Sequence, residues 1–223
     1  MSKLIVYYDN PNKWSDMYLK WLRKDCDENG IKVEITDNFQ NLIWELAIND
    51  NAVLPLFPVK DSETEDAIVN LLKDYPQLDV DNISHSNKYS DATAEGIFNY
   101  IKDNFKDRSK CIGVVGRGKV GMALIDMLIG YGYTVLEFNS ATPKEMSYQL
   151  IRRACDVVVG LSSKPVYDAN ESSSIGENTT IIDASSTFDT KDKLKCGKWT
   201  REVVINRIKE INKRAWQIVE PML

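Results

Sequence analysis

The sequence predicts an α/β protein with two parallel-sheet domains, and three observations carry that expectation. Apolar runs of strand length alternate with helix-periodic stretches along nearly the whole chain, the order that yields parallel sheets covered by helices. The alternation breaks over residues 75–91, where a proline and many Asp, Asn and Ser residues remove any period. Beyond the break, Gly116, Gly118 and Gly121 stand between an apolar run and a helical stretch, a glycine spacing suited to a tight strand-to-helix turn.

In chain order, residues 4–8 form a continuous apolar run, the mark of a strand buried on both faces. Over residues 15–29, Tyr18, Leu19, Leu22 and Cys26 recur at helical spacing, and Gly30 ends the helix. Residues 31–36 alternate as a strand, 42–48 read as a helix, 52–56 as a strand and 65–72 as a helix. The irregular stretch that follows points to function, because structureless segments of that length are uncommon inside compact domains. Thr93 is placed to cap a helix over 94–105. Residues 111–115 make a strand, 122–131 a helix closed by Gly130 and Gly132, 134–138 a strand and 144–154 a helix. Two more strands follow at 157–161 and 180–183. Residues 201–219 predict one long helix with Val204, Ile208, Ile211, Ala215 and Ile218 on a single stripe.

The composition narrows the function class. With 223 residues, 43% hydrophobic and 27% charged, the chain can bury one sizeable core or two small ones. A net charge of -5 argues against nucleic acid or an anionic membrane as partner. Apolar runs stay below membrane-spanning length, and the start lacks a basic segment leading into an apolar one, so neither a spanning helix nor a signal peptide is expected. Cys26, Cys111, Cys155 and Cys196 lie far apart, in or beside apolar runs and without zinc spacing, which predicts buried free thiols and a cytoplasmic setting. His85 is the one histidine, which removes most metal sites and most histidine-based triads; no metal is expected.

The run Gly116-Arg117-Gly118-Lys119-Val120-Gly121 carries the most chemistry. Placed after a strand and opening a helix, it reads as the phosphate-binding turn of a Rossmann-type dinucleotide domain. Gly116 allows the turn, Gly118 admits a pyrophosphate close to the backbone, and Gly121 lets the helix pack on the sheet. The helix N-terminus offers unpaired N–H groups to the phosphates. Cofactor choice then rests on the tip of the next strand. NAD proteins commonly place Asp or Glu there to hold the ribose 2′-hydroxyl, whereas here the tip falls on Asn139, with Ser140 beside it. Asn139 does not repel a 2′-phosphate, and Arg117 and Ser140 can donate to one, so NADP is expected. Glu137 lies two residues earlier on the same side of the strand, and a strand that ended sooner would make it the ribose contact and the cofactor NAD.

At this point the chain resembles the bifunctional methylenetetrahydrofolate dehydrogenase/cyclohydrolases. Ser15-Asp-Met-Tyr18 with Gly30-Ile31 is similar to the family's Ser-x-x-Tyr helix, and residues 50–58 to its strand and Pro-rich loop. Asp79-Val-Asp81 resembles Asp-Val-Asp-Gly, with Asn82 in place of the glycine, and Thr93-Ala-Glu-Gly96 resembles Thr-Pro-x-Gly. Gly116-Arg117 and Val120-Gly121 are similar to Gly-Arg-Ser-x-x-Val-Gly with one residue deleted. Ser140 and Thr142, Lys164-Pro165, Ile182-Asp183, and Gly197 with Thr200 follow the family's later motifs in the same order.

The resemblance implies a folate-binding and catalytic domain over residues 1–93 plus 198–223, a Rossmann NADP domain over 94–197, and a C-terminal helix returning to the first domain. It implies a one-carbon derivative of tetrahydrofolate as substrate, held in a cleft, and a homodimer as the assembly. Tyr18 and Asp81 become the catalytic candidates. Asp81 would accept two hydrogen bonds from the pterin amide and amino groups; without the resemblance Asp79 and Asp81 read as turn residues and Tyr18 equally well as a core aromatic. The departures fall on the folate half. The family's catalytic lysine position is Leu22, its glutamine between Leu54 and Leu56 is absent, and its Pro-Gly-Gly loop is reduced to residues 196–198. Dehydrogenase activity is therefore expected with the cyclohydrolase weak or lost. The alternatives are an inactive NADP-binding protein and another two-domain NADP dehydrogenase of the shikimate type.

Overall fold

The computed structural model describes residues 2–48, 51–86 and 88–219. The chain packs as two compact units, Met1–Ala92 with Arg201–Leu223, and Thr93–Thr200.

The first unit carries a three-stranded parallel sheet in the order β2-β1-β3, built from β1 (Ser2–Tyr7), β2 (Ile31–Thr36) and β3 (Ala52–Pro55). Register runs from Ser2↔Ile31 to Tyr7↔Thr36 and from Leu4↔Ala52 to Tyr7↔Pro55. The central position of β1 explains its unbroken apolar run, because helices cover both faces of the sheet and Leu4, Ile5, Val6 and Tyr7 are all buried. Helix α1 (Lys13–Glu28) begins two residues before the predicted start, because Asn12 caps it by accepting from the Trp14 and Ser15 N–H groups. It buries Leu19, Leu22 and Cys26 and ends before Gly30, whose φ of +68° suits glycine. Helices α2 (Phe39–Ala47) and α3 (Ser62–Asp74) add Leu42, Leu46, Ile68 and Leu72 to the core.

The stretch expected to be irregular is ordered around Asp79. The Val53 N–H donates to Leu78 O at 2.9 Å and the Val80 N–H to Val53 O at 3.3 Å, so the chain pairs briefly with β3. Asp79 is fully buried and accepts from the Ile83 N–H, the Ser84 N–H and the Ser84 hydroxyl at 2.7–2.9 Å. Asn82 adopts φ +53°, the left-handed region that glycine enters freely and asparagine tolerates, which accounts for asparagine at the motif's glycine position. His85, also at positive φ, is exposed.

The second unit opens with α4 (Ala92–Asn104) at its boundary with the first. Thr93, expected as the cap of this helix, lies inside its first turn instead, because the helix starts at Ala92. A four-stranded parallel sheet follows in the order β5-β4-β6-β7, from β4 (Cys111–Val115), β5 (Thr134–Phe138), β6 (Val157–Gly160) and β7 (Thr180–Asp183). Gly113 in β4 leaves room for Cys155, whose Sγ would lie 2.9 Å from a Cβ at that position. Helix α5 (Lys119–Tyr131) starts a turn earlier than its apolar pattern predicts and stops at Gly132, φ +102°. Helix α6 (Lys144–Ala154) matches its predicted span. Helix α7 (Ala169–Gly176) is unpredicted: its serines carry no apolar period, and its start is made by a capping box between Asp168 and Glu171.

Helix α8 (Gly197–Val219) begins four residues earlier than expected. Gly96 of α4 makes this possible, since a Cβ there would meet Trp199 C at 2.8 Å and Thr200 N at 2.9 Å. The Thr200 hydroxyl reaches Thr93 Oγ1 at 3.4 Å, and Trp199 stacks on Tyr100 at 3.9 Å between centroids. Further along, Val204, Ile208 and Ile211 join the core of the first unit; the side chains of Ala215 and Ile218, and Asp50, lie outside the described residues. Arg207, buried, donates to Val80 O at 2.7 Å and Ser90 O at 2.9 Å, pinning both ends of the segment organised by Asp79. Replacing Asp79 by alanine leaves three donors without their acceptor, the two of Ser84 buried and that of Ile83 partly so. Urea unfolding is expected to show a loss of roughly 3 kcal/mol, against about 1 kcal/mol for Asn12→Ala at the α1 cap; equal small losses would remove Asp79 from this role.

Candidate functional site

The glycine turn sits at the C-terminal end of β4, where the sheet's strand order reverses and parallel α/β sheets hold ligands. Each glycine there answers a different demand. Gly116 has φ +118°, and a Cβ on it would meet Leu161 C and O at 2.8 Å, so it serves both the turn and the passage of the chain leaving β6. Gly121 faces the Gly116 carbonyl so closely that a Cβ would sit 2.1 Å from that oxygen. Gly118 caps α5 without any side-chain hydrogen bond, and nothing lies within 4 Å of a Cβ built there. The open space at Gly118 and the bare α5 N-terminus are the features that a phosphate-binding turn requires.

Above the turn lies a cavity of about 580 Å³, bounded by the tips of β4, β5 and β6. Gly116, Arg117, Gly118, Asn139 and Ser140 all line it. Lys119 is the first residue of α5, Val120 packs against the apolar core and Gly121 lies against Gly116, so these predicted binding residues shape the turn from outside the cavity wall. Strand β5 ends at Phe138, which places Asn139 just beyond its tip. The Asn139 side chain accepts from the Ala141 N–H at 2.9 Å, and the Asn139 backbone N–H donates to Thr142 Oγ1 at 3.1 Å, so residues 139–142 form a compact polar turn on the wall. Thr142, Lys144, Ser162 and Tyr167 line the cavity too. Lys144, Ser162 and Tyr167 were not legible as lining residues, because the start of α6 and the segment after β6 meet only through the sheet.

Two cations on this wall are already paired. Arg117 Nε lies 3.0 Å from Glu137 Oε1, and Lys144 Nζ lies 2.7 Å from Glu171 Oε2. Below the cavity, Asp183 at the end of β7 is buried, takes the Lys193 ammonium at 2.6 Å and accepts from the N–H groups of Ser186 and Thr187 at 3.0 Å. Thr187 in turn accepts from the Ser162 N–H at 3.0 Å, so this buried ion pair holds the loop after β6 in place.

The first unit brings Tyr18 and Asp81 together. Tyr18, on α1, is half-buried; burial pushes its phenol well above the usual range, the Asp81 charge pushes it further, and Arg201 opposes both. The phenol is therefore a neutral hydrogen-bond donor near neutral pH. Arg201 Nε is itself held by Asp25 Oδ2 at 2.5 Å, a contact that nothing in the spacing of these residues announces. Leu22, the position of the expected lysine, is fully buried in the apolar core, and Lys20 is exposed while Lys24 pairs with Glu28 at 3.8 Å. Among the described residues, no helix is long and apolar enough to cross a membrane.

No family profile matches the chain, and no curated protein matches its sequence. Solved structures do. A 5,10-methylenetetrahydrofolate dehydrogenase from the silkworm Bombyx mori aligns over 97% of this chain and 89% of its own, at 16% identity and a TM-score of 0.74. The methylenetetrahydrofolate dehydrogenase-cyclohydrolase of Trypanosoma brucei, solved with NADP and an inhibitor, covers 96% and 87%, at 18% identity and a TM-score of 0.72. The NAD-dependent 5,10-methylenetetrahydrofolate dehydrogenase of Saccharomyces cerevisiae covers 98% and 89%, at 16% identity and a TM-score of 0.69. This chain shares their fold.

The glycine geometry makes a direct prediction. Gly121→Ala must force α5 away from β4, at a cost of roughly 3 kcal/mol in urea unfolding. Gly118→Ala enters open space and should stay within about 0.5 kcal/mol of the wild type. Similar losses for the two variants would mean that the turn is not packed as described.

Proposed function

We propose that this protein is an NADP-dependent oxidoreductase that converts 5,10-methylenetetrahydrofolate to 5,10-methenyltetrahydrofolate, with hydrolysis of the methenyl product weak or lost. The observation that carries the reading is the cavity over the glycine turn. It combines an open approach at Gly118, an uncapped helix N-terminus and a wall bearing Arg117, Ser140, Thr142 and Lys144, the donor set that a phosphorylated dinucleotide needs. The residues present fit that group, and Asn139 rather than a carboxylate follows β5. A fold shared across nearly the whole chain with methylenetetrahydrofolate dehydrogenases supports the substrate class. A homodimer, as the family resemblance implies, belongs to the same proposal.

When bound, the nicotinamide supplies a hydride acceptor. The chain's own work is then to place the folate. Asp81 accepts the paired N–H donors of the pterin ring, a two-point contact that a carboxylate suits. Tyr18, kept neutral by burial and by Asp81, donates a hydrogen bond and orients the substrate. Positioning of this kind is enough for hydride transfer, whose chemistry the cofactor carries. Hydrolysis additionally needs a group that activates water. Leu22 cannot provide one, and its burial in the core leaves no room for a replacement amine.

The deciding experiment is reduction of NADP in the presence of methylenetetrahydrofolate, followed by the absorbance of the reduced nicotinamide. No reduction with either NADP or NAD would overturn the reading. Asp81→Ala should weaken folate binding on the order of tenfold to a hundredfold while NADP binding stays intact; unaltered folate turnover would remove Asp81 from the pterin site. Methenyl hydrolysis followed in parallel should run roughly 10²–10⁴-fold below that of a chain with a positioned acid or base. Hydrolysis keeping pace with the dehydrogenase would show that another group activates the water.

A further inference from the structure

Arg117 and Lys144 line the cavity, and both are neutralised by carboxylates of this chain, Glu137 and Glu171. The first pair lies at the end of β5, where NADP and NAD differ. Glu137 is 29% exposed and Arg117 58%, so the carboxylate is the better-held partner. Asn139 Nδ2 also donates to Glu137 Oε1, at 3.4 Å, tying the carboxylate to the residue that follows the strand.

An ion pair this exposed is weak, so a phosphate dianion can compete for the guanidinium. The competition is not free. Glu137 cancels much of the field that Arg117 presents, and it repels the incoming dianion. A 2′-hydroxyl is uncharged and experiences neither effect.

We propose that Glu137 is a specificity-determining residue acting through Arg117, restraining selection for the 2′-phosphate so that the protein binds both NADP and NAD, with a narrower preference than Arg117 alone would set. The proposal rests on the dinucleotide reading of the cavity and deepens it. Glu137→Gln tests it cleanly, because the amide keeps an oxygen that accepts from Arg117 Nε while the charge is removed.

Calorimetric titration would compare the wild type, Glu137→Gln, Arg117→Ala and the double variant. The ligands are NADP and NAD, with adenosine 2′,5′-bisphosphate and AMP as probes of the adenosine end alone. Glu137→Gln is expected to strengthen NADP and the bisphosphate roughly three- to tenfold, with NAD and AMP changed by less than about twofold. Measured against Arg117→Ala, the gain should shrink in the double variant, since the larger part that Glu137 exerts through Arg117 is then gone and only its own repulsion of the dianion remains. A purely structural role would move NAD and NADP together, and that result overturns the proposal. Weaker NADP binding in Glu137→Gln overturns it as well, making Glu137 an orienting partner of Arg117. If the wild type binds both dinucleotides and the ratio does not shift, this proposal alone fails. If it binds neither, the cofactor reading fails with it.

Discussion

The approach of α5 to the end of β4 is the contact on which the second unit depends. Gly121 has no side chain, and an added Cβ would sit 2.1 Å from the Gly116 carbonyl oxygen. That clearance sets the height of the helix N-terminus over the sheet. The N-terminus in turn sets where the first N–H groups of the helix point, and Gly118 leaves open space beside them. The Gly116 turn passes against Leu161 and Ser162, so the same constraint places the loop after β6 on the far wall of the cavity. One missing methyl group therefore couples helix, turn and cavity.

Electrostatics follow the same economy. The charged side chains around the cavity are paired within the chain: Arg117 with Glu137, Lys144 with Glu171, and Lys193 with buried Asp183. The pairs differ in what they do. Asp183 is fully buried and takes backbone donors as well, so its pair is structural, and breaking it would strand a buried charge. The Arg117 and Lys144 pairs are exposed enough to exchange partners. In the first unit, Arg201 with Asp25, and Arg207 with the carbonyls of Val80 and Ser90, play the structural part. They anchor α1 and the segment bearing Asp81 to α8.

Much of the secondary structure was legible because its causes are local. The spans of β2, β4, β5, α6 and β7 coincide with their predicted ranges, each being an apolar run or periodic stretch bounded by turn residues. Where prediction and structure part, a contact remote in sequence is responsible. Helix α8 starts early because Gly96 admits its first turn against α4. Helix α4 starts early and takes Thr93 into its first turn. Helix α7 has no apolar stripe to betray it, and only its Asp168–Glu171 capping box marks it. The supposedly irregular stretch is ordered because Asp79 gathers three donors and Arg207 arrives from well over a hundred residues away.

By itself, the sequence determined the α/β class and the glycine turn between a strand and a helix. These are properties of spacing and residue type, and short-range sterics enforce them. The tertiary structure alone decided that Leu22 belongs to the core, that Lys144, Ser162 and Tyr167 share a cavity with the glycine turn, and that Glu137 meets Arg117. It also decided that Tyr18 feels Asp81 and Arg201 at once. The physical reason is common to all of these. A parallel sheet brings the ends of strands separated by long crossovers to one edge, and the charges that meet there are chosen by that edge rather than by their neighbours in the chain.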